Sequence, residues 1–268
     1  MGRPTLTSVE AAVDAGALNA AFAAAVLHED RDAIRFDHPL LAEAAYRMLA
    51  PSRRRGVHER LAELAVDAEE RARHLAAGSP APEAGVAAEI EKGAEAAAAR
   101  GARSAAAELL EASARAEPDA ETAALRRIAA VRHHIAGGDG RRAIALSNAL
   151  VEELLPGPLR ARALIVRSAQ EGRFDQLLEF ACQATVEAGD DRELLIEALD
   201  MQGVLLVLAD RLQEAGIALH RAQKLCTPDV PRALRIQVLS DRGDLAHYRG
   251  DPDAIALQRE AAELEGDA

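Results

Sequence analysis

Three groups of residues in this chain have types and spacings that chemistry could use, and each stops short of a reactive centre. His58-Glu59 begins as a helical zinc-protease H-E-x-x-H does, but position 62 is Ala, so the second imidazole is missing. His133 and His134 are neighbours in a helical stretch and point about 100° apart, a poor arrangement for two ligands on one metal. Carboxylates stand in pairs at Glu152-Glu153 and Asp190-Asp191, as general acid–base work requires. They fall at helix ends and on polar faces, and a helix N-terminus favours acidic residues through its dipole alone. Phosphate binding would call for G-x-x-x-x-G-K-[ST]; the two lysines, Lys92 and Lys224, both lie outside such a context. Hydrolysis through serine would call for G-x-S-x-G or a Ser/His/Asp set, and the sequence offers neither. The expectation is a segment with no catalytic residue, no metal ligand and no cofactor of its own.

The elements that carry these residues repeat. Paired positions recur at Ala94/Gly101, Val131/Gly138, Ile165/Gly172, Gly203/Asp210 and Gly243/Gly250, seven residues apart within each pair. Successive pairs are separated by 37, 34, 38 and 40 residues, the period of tetratricopeptide-type helical hairpins. Breakers at Pro118, Gly137 to Gly140, Pro156-Gly157-Pro158, Gly189, Pro228, Pro231 and Pro252 delimit ten helices. Their expected spans are 83–100 and 103–116, 119–136 and 140–154, 158–171 and 174–188, 191–209 and 212–226, then 230–248 and 252–265. A small residue at the first position of a pair lets the partner helix cross close to the backbone. Val131 and Ile165 should therefore mark wider crossings.

In tetratricopeptide geometry the first helix of each hairpin lines the concave surface. Residues at −3, +1 and +4 from the first paired position should face inward. That register selects Glu91 and Glu95, Ile128, Arg132 and Ile135, Arg162, Asp200, then Ser240, Asp244 and His247. Arg132, Arg162, Asp200, Asp244 and His247 are the candidate partner-binding residues, with the two arginines suited to an acidic ligand or peptide.

The first fifty residues do not follow the repeat. Ser8 to Gly16 reads as a short helix with Ser8 as N-cap and Gly16 as its stop. Ala24 to His28, the turn Glu29 to Asp32, and Ala33 to Phe36 read as a β-hairpin. His38-Pro39 then opens a helix to about Leu49, with Pro39 at its first position. Helix, hairpin and helix match the tail of a winged-helix domain, so the sequence reads as part of a longer protein. Pro51 opens a helix through about Asp67 and another follows to Ala77, before the break Gly78-Ser79-Pro80-Ala81-Pro82. The expected organisation is 1–50 as the end of a winged helix, 51–82 as a helical connector and 83–268 as the repeat array. The fold class expected is all-α, a tetratricopeptide-like helical-hairpin solenoid preceded by that partial winged helix.

The stretch Phe36-Asp37-His38-Pro39-Leu40-Leu41-Ala42-Glu43-Ala44-Ala45-Tyr46 resembles the F-x-H-P-L-x-x-E-A-x-Y signature of the large ATP-binding LuxR-family regulators. Pro51 through Ala62 is similar to their P-x-x-R-R-x-x-H-x-x-L-A stretch. The resemblance covers roughly residues 9–115, and the later repeats only by architecture. It implies a parent with a signalling ATPase first, then a winged helix, a tetratricopeptide-like array and a C-terminal helix-turn-helix. It also implies that this segment is the sensor arm, with a protein or small-molecule effector on the repeats and the parent ATPase domain as partners. The same motif would suit the repeat arm of a signalling cyclase or kinase, and a plain peptide-binding scaffold is a third reading.

Charge and composition fit those expectations. Net charge is −12, with the acidic excess largely beyond residue 80, so direct nucleic-acid binding by the repeats is disfavoured. Arg53, Arg54, Arg55 and Arg60 form a local basic cluster whose simplest reading is a solvated helix start. Arg supplies nearly all positive charge, the usage of a GC-rich bacterium. Cys182 and Cys226 lie in apolar helical surroundings and read as free thiols. With no signal peptide and no apolar run of ~20 residues, a cytoplasmic protein without membrane contact is expected.

Overall fold

The computed structural model describes residues 7, 9, 10, 13–31, 33–79 and 81–266. Two compact units divide at the 133/134 bond. The first carries α1 (Ala15–Ala23), β1 (Leu27–Asp30), β2 (Ala33–Phe36), α2 (Pro39–Met48), α3 (Pro51–Leu64), α4 (Ala68–Gly78), α5 (Ala84–Ala99), α6 (Arg103–Ala116) and most of α7 (Ala120–Ala136). The second carries α8 (Gly140–Glu153), α9 (Pro158–Ser168), α10 (Phe174–Glu187), α11 (Arg192–Leu208), α12 (Leu212–Leu225), α13 (Arg232–Arg249) and α14 (Ala254–Gly266). Among the described residues β1 and β2 make a single two-stranded sheet. The fold is an all-α array of helical hairpins, and the ten repeat helices keep their expected spans to within two residues except at α9.

The second member of the seven-residue pairs turns out to be a helix-stop signal. Gly101, Gly138, Asp210 and Gly250 all take a left-handed backbone, with φ of 82°, 81°, 58° and 70°. At each, the following N–H closes back five residues: Ala102 to the Ala97 carbonyl, Asp139 to His134, Arg211 to Leu206 and Asp251 to Ala246. The paired N–H of the left-handed residue reaches the next carbonyl along, as in Gly101 to Ala98 and Gly250 to His247. This is the Schellman closure, which satisfies carbonyls that a helix end leaves open. Gly172 does not share it. There α9 ends at Ser168, three residues before the expected stop, and Ser168 Oγ and Gln170 Nε2 donate back to the Ile165 and Val166 carbonyls.

The first members are buried at all five sites, Ala94, Val131, Ile165, Gly203 and Gly243. At Gly203 a Cβ would stand 2.5 Å from Leu219 Cγ, so α12 lies directly on the α11 backbone. Gly93, one residue before the expected Ala94, makes the tightest approach in the first unit. A Cβ there would collide with the Ala72 methyl and lie 2.9 Å from the Ala68 carbonyl oxygen. That approach joins α5 to α4, so the Gly78 to Pro82 break lies inside one compact unit.

Within the second unit, α9 packs on α10, α11 on α12 and α13 on α14, while the first helices α9, α11 and α13 also touch in succession. Leu164, Leu194, Ile196, Leu199, Leu219 and Val238 are the large buried side chains of these seams. Each contributes about 1.5–3 kcal/mol of apolar burial. Alanines fill the rest, which is how helices with 2% aromatic content still pack closely.

Ahead of the repeats, two expectations shift. Gly16 lies in the first turn of α1, capped by Asp14 through Ala17 N–H at 3.0 Å, and does not end a helix. Ser8, its expected N-cap, lies outside the described residues. The first strand begins at Leu27 instead of Ala24, because Ala24 to Val26 form the stop that closes α1. Val26 N–H bonds the Ala21 carbonyl and Ala25 takes φ 50°, the same closure built on Ala. The strands pair Leu27 with Phe36 through Asp30 with Ala33, so Glu29 and Asp30, expected in the turn, belong to the first strand.

Candidate functional site

The −3 positions of the expected concave register tie one repeat to the next. Glu91 accepts from Arg126, 35 residues on, at 2.7–2.8 Å, and Arg126 also pairs with Glu117. Arg126 is 8% exposed; burial alone lowers its pKa, and the hydrogen bonds to Glu91 and Glu117 more than offset that. Arg162 donates to Asp191 at 2.8 Å, and Asp191 also caps α11 through Leu194 N–H at 3.0 Å. Asp200 is 7% exposed between α11 and α13 and faces Asp241 and Glu197. Its Oδ1 meets no hydrogen-bond donor among the described residues. Desolvation first, then the Asp241 and Glu197 charges, push its pKa up to about 8, so near neutrality it is a protonated acid able to donate to Asp241.

The candidate residues at the +1 and +4 positions are turned to solvent, although Val166, at +1 in the third pair, is buried. Arg132, Asp244, His247 and Glu95 are exposed, and Ile135 is 41% exposed. Asp244 accepts from Gln258 Nε2 at 2.8 Å, and the His247 ring stands edge-on to Tyr248. Arg132 belongs to the first unit, and Arg162, Asp200, Asp244 and His247 belong to the second. In the second unit Asp244 and His247 share the exposed side of α13, while Arg162 and Asp200 are engaged with neighbouring helices.

In the first unit the folding of α2, α3 and α4 lines up Tyr46, His58 and His74. The Tyr46 hydroxyl is 3.2 Å from His58 Nε2, and His58 Nδ1 is 3.0 Å from His74 Nδ1. Arg54 lies over the Tyr46 ring at 5.2 Å. Burial lowers the pKa of both imidazoles, and for His58 the His74 charge lowers it further. His38 caps α2, its Nδ1 accepting from Leu40 N–H at 3.2 Å. Yet α2 buries none of its residues, and Leu40 and Met48 are 69% and 86% exposed.

A basic cleft of about 510 Å³ was not anticipated from sequence. Gln213, Gly216, Ile217, His220, Arg221 and Lys224 line it from α12, and Arg242 and Arg249 from α13. The α12 residues recur at i, i+3, i+4, i+7, i+8 and i+11, one helical stripe that the sequence does contain. Gly216 makes room for Arg249: a Cβ there would lie 2.6 Å from Arg249 Nη2, which donates to the Leu212 carbonyl. Arg242 donates to Gln223 Oε1, and desolvation lowers its pKa despite Glu260 and Asp253 nearby. Among the described residues no carboxylate and no Phe, Tyr or Trp ring lines the cleft, and the His220 imidazole is its one aromatic group. A second cleft of about 310 Å³ on the other flank of α12 shares Ile217 and Arg221 and holds the Cys182 thiol, which accepts from Gln202 Nε2 at 3.2 Å.

Among the described residues no cluster of three His, Cys, Asp or Glu is arranged to hold a metal, and no helix is long and apolar enough to cross a membrane. No family model matches the chain, and no curated protein matches it. Among solved structures it is similar to BtubC (BKLC) from P. vanneervenii, at 16% identity and a TM-score of 0.58. That likeness covers 82% of this chain and 92% of the other, and at this identity it speaks for the helical-repeat fold alone.

Proposed function

We propose that this chain is the sensor arm of a bacterial, cytoplasmic LuxR-family ATP-binding regulator, holding a protein or small-molecule effector on its repeats and catalysing nothing itself. One observation carries the reading. The two stretches on which the resemblance rests are brought together by Tyr46 and His58, and His74 continues that contact into α4, which packs on the first repeat helix. A displacement of α5 would thus be felt at the signature helix α2, whose uncovered Leu40 and Met48 offer a surface to the parent ATPase. Effector binding would shift the parent between inhibited and active arrangements by its differential affinity for the two.

The purified chain should neither hydrolyse ATP nor retain duplex DNA at physiological salt, and either activity would count against the proposal. Asp244→Ala with His247→Ala, on the exposed side of α13, should weaken effector binding by that face of the repeats. Unchanged affinity would remove that face from the reading.

A further inference from the structure

The basic cleft between α12 and α13 stands out because the chain as a whole is strongly acidic. Arg221, Lys224, Arg242 and Arg249 place four fixed positive charges around one opening, with His220 beside them. Gathering them there is electrostatically unfavourable unless something of opposite sign answers them, and the carboxylates of Asp253 and Glu260 stand outside the lining. Two structural details keep the charges in place. Arg242 is held part-buried by Gln223, and Arg249 lies flat over a helix position where Gly216 supplies no side chain to displace it.

We infer that this cleft binds a small organic molecule carrying two phosphate groups, a diphosphate or bisphosphate. Arginine forks match phosphate oxygens, and each phosphate concentrates nearly two negative charges in a small volume. Arg242 and Arg249 are seven residues apart on α13, nearly two turns, so they share the face of the helix that meets the cleft, and four cations there suit two linked phosphates better than one. Ile217, 71% exposed at the rim, gives an apolar wall for the carbon skeleton. With no Phe, Tyr or Trp ring in the lining, an attached base would have only the His220 imidazole to stack on. The inference deepens the effector reading by naming a ligand class, and its test concerns this chain alone, so its failure would leave the identity of the parent untouched.

Inorganic pyrophosphate titrated calorimetrically into the purified chain at low ionic strength should bind saturably at one site and weaken as salt is raised. Lys224→Gln combined with Arg242→Gln should lower the affinity at least tenfold. Gly216→Ala, which exchanges a helix-interior glycine for a better helix former, should lower it severalfold by displacing Arg249. Arg173→Gln, whose partner is Asp175 away from the cleft, should leave it unchanged. ADP should bind no more tightly than pyrophosphate. Affinity that survives both cleft variants, binding that never saturates, orthophosphate binding as tightly as pyrophosphate, or a tri-glutamate peptide binding equally well would each overturn the inference.

Discussion

Gly93→Ala probes whether α4 and α5 are joined as closely as the structure has them. Alanine at a helix interior normally gains about 1 kcal/mol over glycine. Here the new methyl would meet the Ala72 methyl, which has no rotamer with which to retreat, and would lie 2.9 Å from the Ala68 carbonyl. Carbon pairs rest at about 3.5–4.0 Å, so the two helices must separate by more than 1 Å along a seam where Ala72 is fully buried. Overpacking of this kind costs about 1–3 kcal/mol or more, and because backbone is involved the upper end applies. The net loss is then about 2 kcal/mol, a melting-point fall of about 6–10 °C for a unit of this size. Gly56→Ala is the internal control, since nothing lies within 4 Å of its added Cβ and the helix gain should appear undiluted. Thermal and urea unfolding of the two variants should therefore move in opposite directions. Stabilisation by both would refute the close crossing and the mechanical link from the repeats to α3 and α2.

Three further outcomes follow from particular residues. Ala25→Gly and Asp210→Gly should each stabilise the protein by about 1 kcal/mol in chemical denaturation, because both sit at left-handed closures where a side chain is strained. Asp200→Asn should remove a pH dependence. An unfolded carboxyl titrates near 4 and the folded one near 8, so between those values only the native state holds the proton and stability falls as pH rises, by at most about 1.4 kcal/mol per unit. The Asn variant should be the more stable at pH 7.5 and lose that advantage near pH 4. A constant difference would remove Asp200 from the buried acid pair. Arg126→Ala should cost about 3 kcal/mol in unfolding experiments by stranding Glu117, whose side chain is 6% exposed, and a loss below 1 kcal/mol would mean that water reaches that pair.

The hairpin array was legible because period, glycine and proline positions act locally. The seven-residue pairs, though, record two different devices, a buried crossing and a left-handed stop, which spacing alone does not separate. Asp210 was legible only as a degenerate glycine, and its φ explains why Asp is tolerated there. Ala24 to Val26 look like strand because alanine next to Val-Leu carries no stop signal; only the backbone closure shows that they form the stop of α1. The concave register picked out residues on the first helix of each hairpin. It could not distinguish Glu91, Arg162 and Asp200, which meet groups on neighbouring elements, from Arg132, Asp244 and His247, which lie at the surface, because that depends on the twist between neighbours. The basic cleft needs α12 and α13 together, and neither stripe is conspicuous until the helices are adjacent.

The sensor-arm proposal is tested most directly by reading the open frame that contains this chain on both sides and purifying its product. A phosphate-binding ATPase module upstream and a DNA-binding helix-turn-helix downstream are expected, with ATP turnover and operator binding confined to those modules. A cyclase or kinase domain in the same frame, or a product that neither binds ATP nor DNA, would contradict the proposal.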